Sequence, residues 1–251
     1  MSYTIAVAGK GGTGKTSLCA LLMAELLKRG KKPILAVDAD PNANLGQVLG
    51  VEVTRTVGSI REDALGSINA IPAGMTKEEF LEYHIQSALV EADGFDLITM
   101  GRPEGPGCYC YANNLIRKIM DVLGNNYPFM LIDNEAGMEH LSRRTTRDVD
   151  LLLLVADASR RGLETAARIA GMADELKLNI RRKGVVIGRL PPEANRDYSG
   201  LLQEWGLELL GSIPHDLTLQ QRDMEGHPLL NLPSSCKARQ AVSSLVDKLS
   251  L

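Results

Sequence analysis

The stretch Gly9-Lys10-Gly11-Gly12-Thr13-Gly14-Lys15-Thr16 limits what this chain can become more than any other, because of what flanks it. An apolar run at 3–8 precedes it and a helical hydrophobic pattern over 17–29 follows, so it joins a buried strand to a helix. Glycines let the backbone wrap an anion with its N–H groups, and the first helical turn adds unpaired donors and the positive end of the dipole. The loop therefore reads as a phosphate cradle, with Lys15 on the β- and γ-phosphates and the Thr16 hydroxyl on Mg²⁺. The same letters also spell G-x-G-x-x-G from Gly9 to Gly14, with Asp38 in place of a ribose-binding acid. Lys15-Thr16 separates the two readings: a pyrophosphate turn has no need of them, whereas a nucleoside triphosphate with its metal does.

Beyond the loop, short apolar runs at 34–37, 95–100, 129–132, 151–156, 184–187 and 207–213 alternate with helical patterns over 76–90, 112–123, 163–176 and 237–249. Residues 42–50 read as a brief helix and turn, and 51–75 as a weakly patterned surface excursion. Thr76 and Glu79 have the spacing of a capping box. Strands alternating with helices predict an α/β fold, a mostly parallel sheet flanked by helices on both faces. No linker or repeat divides the 251 residues, so one domain over 1–251 is expected.

Composition narrows the class. A net charge of −3 gives no electrostatic footprint for nucleic acid, and no apolar run reaches membrane-spanning length. The N-terminus enters a strand directly, without a charged-then-apolar leader, so a cytoplasmic protein is expected, with neither nucleic acid nor membrane as partner. Four cysteines, Cys19, Cys108, Cys110 and Cys236, do not make a secreted disulfide framework. The histidines, His84, His140, His215 and His227, form no two-ligand metal spacing and read as packing or surface residues.

Acids stand where strands end. Asp133 closes the run at 129–132 and fits the carboxylate that supports Mg²⁺ through water. Asp133-Asn134-Glu135-Ala136-Gly137 also has the D-x-x-x-G form, whose glycine N–H senses a γ-phosphate. Asp38 and Asp40 follow the second run, where one can reach the metal shell and the other orient attacking water; an ordinary turn with a helix cap is the competing explanation.

Lys10 is a second lysine that a phosphate loop does not require. With it, the loop, Asp38-Ala39-Asp40-Pro41 and residues 133–137 resemble the deviant phosphate-loop family that includes MinD, ParA and the nitrogenase iron protein. The resemblance implies a nucleotide-gated homodimer hydrolysing ATP to ADP. It places Lys10 on the other subunit's phosphates, and Gly11, Gly12, Thr13, Gly14, Lys15, Thr16 and Ser17 on the cis nucleotide, with Asp40 positioning water. On the base side Gly188-Arg189 stands where the family commonly has Asn; Arg189 can stack on a purine, and Ile213-Pro214-His215-Asp216 resembles the family's other purine-side segment.

Cys108 and Cys110 flank Tyr109 in a Gly/Pro loop. Residues two apart on an extended segment face one side about 6–7 Å apart, so both thiols can converge on one ion. Two ligands are too few for zinc-like metals, and a two-fold axis would complete a tetrahedral S₄ site. The bland alternative is a pair of small buried residues. Residues 101–114 and 134–143 further resemble the CooC-type accessory ATPases of carbon monoxide dehydrogenase and acetyl-CoA synthase. That implies Ni²⁺ or Zn²⁺ held at Cys108 and Cys110 across the dimer and a nickel enzyme as client. An iron–sulfur electron donor like the nitrogenase iron protein and a MinD/ParA-type positioning ATPase are the alternatives. Cys19 and Cys236 are expected to pack.

Overall fold

The computed structural model describes residues 2–59, 74–76, 79, 83, 86–102, 120, 123–136, 148–194 and 197–251. In β1 (Tyr3–Gly9) Ile5 and Val7 face one side and Ala6 and Ala8 the other; in β6 (Asp148–Ala156) Leu151, Leu153 and Val155 alternate with Leu152, Leu154 and Ala156 in the same way. Strands apolar on both faces need cover on both faces. The remaining strands are β2 (Ile34–Ala39), β3 (Val90–Ala92), β4 (Phe95–Thr99), β5 (Phe129–Asn134), β7 (Asn179–Leu190) and β8 (Glu208–Pro214). They form one sheet in the order β3-β4-β2-β5-β1-β6-β7-β8, parallel throughout except for the β3–β4 pair.

Among the described residues the helices include α1 (Lys15–Lys28), α2 (Leu45–Leu49), α3 (Arg160–Glu175), α4 (Ser199–Glu204), α5 (Leu217–Met224) and α6 (Lys237–Leu249). α1, α2 and α6 cover the face of Ile5 and Val7, whereas α3 and α4 cover that of Ala6 and Ala8. In α6 the inward stripe is Ala238, Val242, Leu245, Val246 and Leu249, the spacing of a half-buried helix. A polar clasp ties α1 to α6: buried Glu25 accepts from Arg29 Nε at 3.0 Å and from the Ser243 hydroxyl at 2.9 Å, and Arg29 also pairs with Asp247 at 2.8 Å.

The expected α/β architecture is present, with corrections. The helical pattern expected to reach residue 90 stops short, because Val90–Ala92 turns back through Asp93-Gly94 and pairs antiparallel with β4. In the expected surface excursion at 51–75, Glu52 and Thr54 are exposed but Val57 is wholly buried, and residues 60–73 lie outside the described residues. β6 and β7 are longer than their apolar runs, and α5 was not expected. The Thr76–Glu79 capping box forms, the Thr76 hydroxyl accepting the Glu79 N–H at 3.1 Å and Glu79 Oε2 accepting the Thr76 N–H at 2.8 Å. Of the expected helix over 112–123 only Met120 and Leu123 are described, both helical, and Cys108, Cys110, Gly137, His84 and His140 lie outside the described residues.

Candidate functional site

The parallel sheet sets β1 at its centre, so the loop that follows emerges at the carboxyl ends of the strands, beside the ends of β5 and β6. Gly14 opens α1 in the left-handed region (φ 93°) and supplies no side-chain cap, leaving the first-turn N–H groups to an anion. Inside the loop the Lys10 carbonyl accepts from the Thr13 hydroxyl at 2.8 Å and from Lys15 Nζ at 3.3 Å, so Lys15 is buried and folded back over the loop. Lys10 itself is exposed, as are Gly11 and Gly12.

The strand-end acids come together because β2 and β5 are neighbours with Asp38 opposite Asp133 in register. Both carboxylates are buried. Burial raises the Asp38 carboxyl to about 7, with the Asp133 charge adding to it and backbone N–H groups opposing. Burial likewise raises Asp133 to about 6, against the Thr16 hydroxyl and the Lys15 charge. One oxygen of Asp133, Oδ1, has no hydrogen-bond partner. A buried carboxylate with an open oxygen, its ionised form favoured by the Thr16 hydroxyl and the Lys15 charge, suits a hydrated divalent ion. The Cys19 thiol also contacts Asp133; complete burial, followed by the Asp133 and Asp38 charges, lifts it well above the ordinary thiol range. Cys19 and Cys236 are buried free thiols, as their expected packing role requires.

Asp38 does more structural work than its sequence position suggests. Oδ1 accepts the Asp40 N–H at 3.1 Å and Oδ2 accepts the Leu45 N–H at the start of α2 at 2.9 Å. The turn-and-cap explanation therefore describes Asp38, which shapes the loop. Asp40 is only partly buried at the strand end, with Oδ1 accepting both the backbone and side-chain N–H groups of Asn42.

On the other side of the loop lies a cavity of about 320 Å³, bounded by Thr13, Gly14, Ser17, Arg189, Pro214 and α5. Arg189 and Pro214 both line this cavity, Arg189 Nε lying 3.8 Å from where a Gly14 Cβ would be. Gly188 is what lets β7 approach: a Cβ there would lie 2.3 Å from the Thr13 carbonyl oxygen. Sequence reasoning missed α5, whose Leu219, Gln220, Asp223 and Met224 wall the cavity. The available signal was Asp216 as an N-cap before a stretch closed by Gly226. Asp216 Oδ1 accepts from Thr218 at 2.9 Å and Leu219 at 3.1 Å, and Oδ2 from Lys237 at 2.7 Å and Ala238 at 3.3 Å, so one carboxylate caps α5 and α6 together. Against the burial that raises it, these N–H groups and the Cys236 thiol hold its carboxyl below the usual range. Asp216→Ala is expected to cost about 2 kcal/mol in denaturant unfolding, two caps at roughly 1 kcal/mol each, and to raise KM for ATP. His215 and His227 are exposed, in keeping with surface roles, and His215 borders the cavity.

Among the described residues no three His, Cys, Asp or Glu side chains gather into a metal cluster, and no helix is long and apolar enough to cross a membrane.

Fold and site together define a phosphate-loop nucleotide hydrolase. Residues 4–229 match the CobQ/CobB/MinD/ParA nucleotide-binding domain, and the chain belongs to that family of ATPases. It is 46% identical to an uncharacterized ATP-binding protein of Methanocaldococcus jannaschii, the match covering 98% of this chain and 97% of that protein. It is 30% identical to the carbon monoxide dehydrogenase accessory protein CooC of Rhodospirillum rubrum, covering 97% and 96%. The cell division ATPase MinD of Pyrococcus furiosus has the same fold, with a TM-score of 0.71 at 24% identity over 100% of this chain and 99% of that one.

Proposed function

We propose that this ATPase is a nucleotide-gated homodimer that carries Ni²⁺, or a similar ion such as Zn²⁺, to a nickel enzyme of the carbon monoxide dehydrogenase/acetyl-CoA synthase type. The observation that carries the reading is the Cys108-Tyr109-Cys110 run in a chain 30% identical to CooC over nearly its whole length. Two thiolates per chain are half a tetrahedral sphere, and a two-fold axis supplies the other half.

The nucleotide half of the cycle follows from the loop. Gly11 to Gly14, Lys15, Thr16 and Ser17 cradle the phosphates of ATP, and Arg189 and Pro214 border its base. Thr16 and Asp133 would hold Mg²⁺, which when bound neutralises charge on the β- and γ-phosphates. Asp40 orients the water that attacks the γ-phosphate, releasing phosphate and leaving ADP. Lys10, exposed in one chain, reaches the partner's phosphates, so the triphosphate holds two copies together and its hydrolysis frees the cargo ion.

Ultrafiltration with Ni²⁺ or Zn²⁺ tests the reading: close to one ion per two chains is expected, lost in Cys108→Ala while ATP binding persists. An unchanged stoichiometry in that variant rejects the shared site. An iron–sulfur electron donor would instead emerge brown with labile sulfide from anaerobic purification. Similarity to MinD of Helicobacter pylori, 27% over 94% of this chain, favours a positioning role as the second reading. Against a membrane-bound version stands α6, whose apolar stripe already packs on the sheet. ATP-dependent pelleting with liposomes, with no metal bound, would favour that rival.

A further inference from the structure

Asp40 is held through Asn42 by a residue from a different strand end. Asp40 Oδ1 accepts from the Asn42 backbone at 2.8 Å and from the Asn42 side-chain amide at 2.9 Å. By itself this is a common Asx turn. Asn42 Oδ1, however, accepts from the Arg102 guanidinium at 3.0 Å, across 60 residues of chain. Both ends of the Asn42 amide are thereby used, which determines its orientation: nitrogen toward Asp40, oxygen toward Arg102.

The position of Arg102 is set by the fold. The end of β4 is joined to that of β2 by the Met100 N–H, which donates to the Asp38 carbonyl at 2.8 Å. Gly101 then turns in the left-handed region (φ 65°), and a Cβ there would lie 2.5 Å from Thr56 Oγ1, so the backbone that carries Arg102 is packed closely against 56. Asn42 and Arg102 are both exposed, and polar contacts in water add little to stability. Their hydrogen bonds fix Asp40 Oδ1, and its Oδ2 has no hydrogen bond among the described residues.

The geometry points to Asn42 and Arg102 as positioning residues for ATP hydrolysis: Arg102 orients Asn42, and Asn42 turns the open oxygen of Asp40 toward the attacking water. The inference rests on the reading of Asp40 as the water-orienting residue and deepens it.

Steady-state hydrolysis of Mg-ATP by the full chain tests this. Asn42→Ala and Arg102→Ala are each expected to lower kcat on the order of tenfold, the scale of a misplaced catalytic group, with KM, ATP affinity and melting temperature unchanged. Arg102→Lys, which keeps a donor, recovers most of the loss. The double variant is no slower than either single one, because both break one chain of contacts. In an Asp40→Ala background Arg102→Ala has no further effect. A wild-type kcat in Arg102→Ala, with Asp40→Ala inactive, overturns the relay and leaves the role of Asp40 standing. A wild-type kcat in Asp40→Ala overturns that role, and the relay with it.

Discussion

Lys15→Ala is expected to weaken ATP binding by roughly 100-fold or more and to abolish hydrolysis, whereas Lys10→Ala keeps ATP binding and loses dimerisation and turnover. The two lysines share one loop but not one environment. Lys15 is buried, with Nζ 3.3 Å from the Lys10 carbonyl and close enough to Asp133 to oppose the rise in its carboxyl. It can meet phosphates only from inside its own loop, and removing it leaves Asp133 and Asp38 facing the anion without compensation. Lys10 projects into solvent, so its loss costs the cis site little. A cation brought in from a second subunit acts on the charge that develops in the transition state, and such residues contribute on the order of a thousandfold or more to turnover. Equilibrium nucleotide binding, hydrolysis rates and sedimentation with ATP separate the two. Equal behaviour of the variants would remove the cross-subunit assignment.

Asp133→Asn is expected to stabilise the nucleotide-free protein increasingly as pH rises, while eliminating Mg²⁺-dependent hydrolysis. Asp38 and Asp133 hold protons to about 7 and 6 in the folded chain, whereas an unfolded aspartate releases its proton near 3.8. Between those values the folded state binds more protons than the unfolded state, so stability from this pair falls as pH rises. The decline begins near pH 4 and is complete just above pH 7, and the part that Asp133 contributes, the part the variant removes, amounts to roughly 3 kcal/mol. Asparagine keeps the shape without the ionisation. The melting temperature of Asp133→Asn minus that of the natural protein should therefore be near zero at pH 4 and positive at pH 8. A difference independent of pH would mean that these two carboxyls titrate normally. A divalent ion should narrow the gap at pH 8, since it favours the ionised form only where Asp133 is present.

Local signals carried much of this. Glycine and lysine spacing specifies the phosphate loop because the loop's geometry is set by its own backbone, and α6 was bounded correctly by its helical periodicity. Failures fell where the determining contact is remote. β3 has only three residues, and its one signal, Asp93-Gly94, is a hairpin turn that joins it to β4. α5 has no buried residue, so no apolar stripe announced it. The cavity beside the loop exists because Gly188 on β7 lets that strand approach Thr13, and a sequence does not say which strand lies there.

From the sequence alone came the α/β class, the phosphate cradle, the acids at strand ends and the paired cysteines, since each depends on residues a few positions apart. Tertiary structure decided which of those acids are neighbours. β2 lies beside β5 only in this strand order, and that adjacency, with burial, turns two ordinary aspartates into a coupled pair that retains protons near neutrality. The same holds for Asp216 reaching two helices and for Arg102 reaching Asn42: hydrogen bonding and desolvation act through space, and distance along the chain does not measure them.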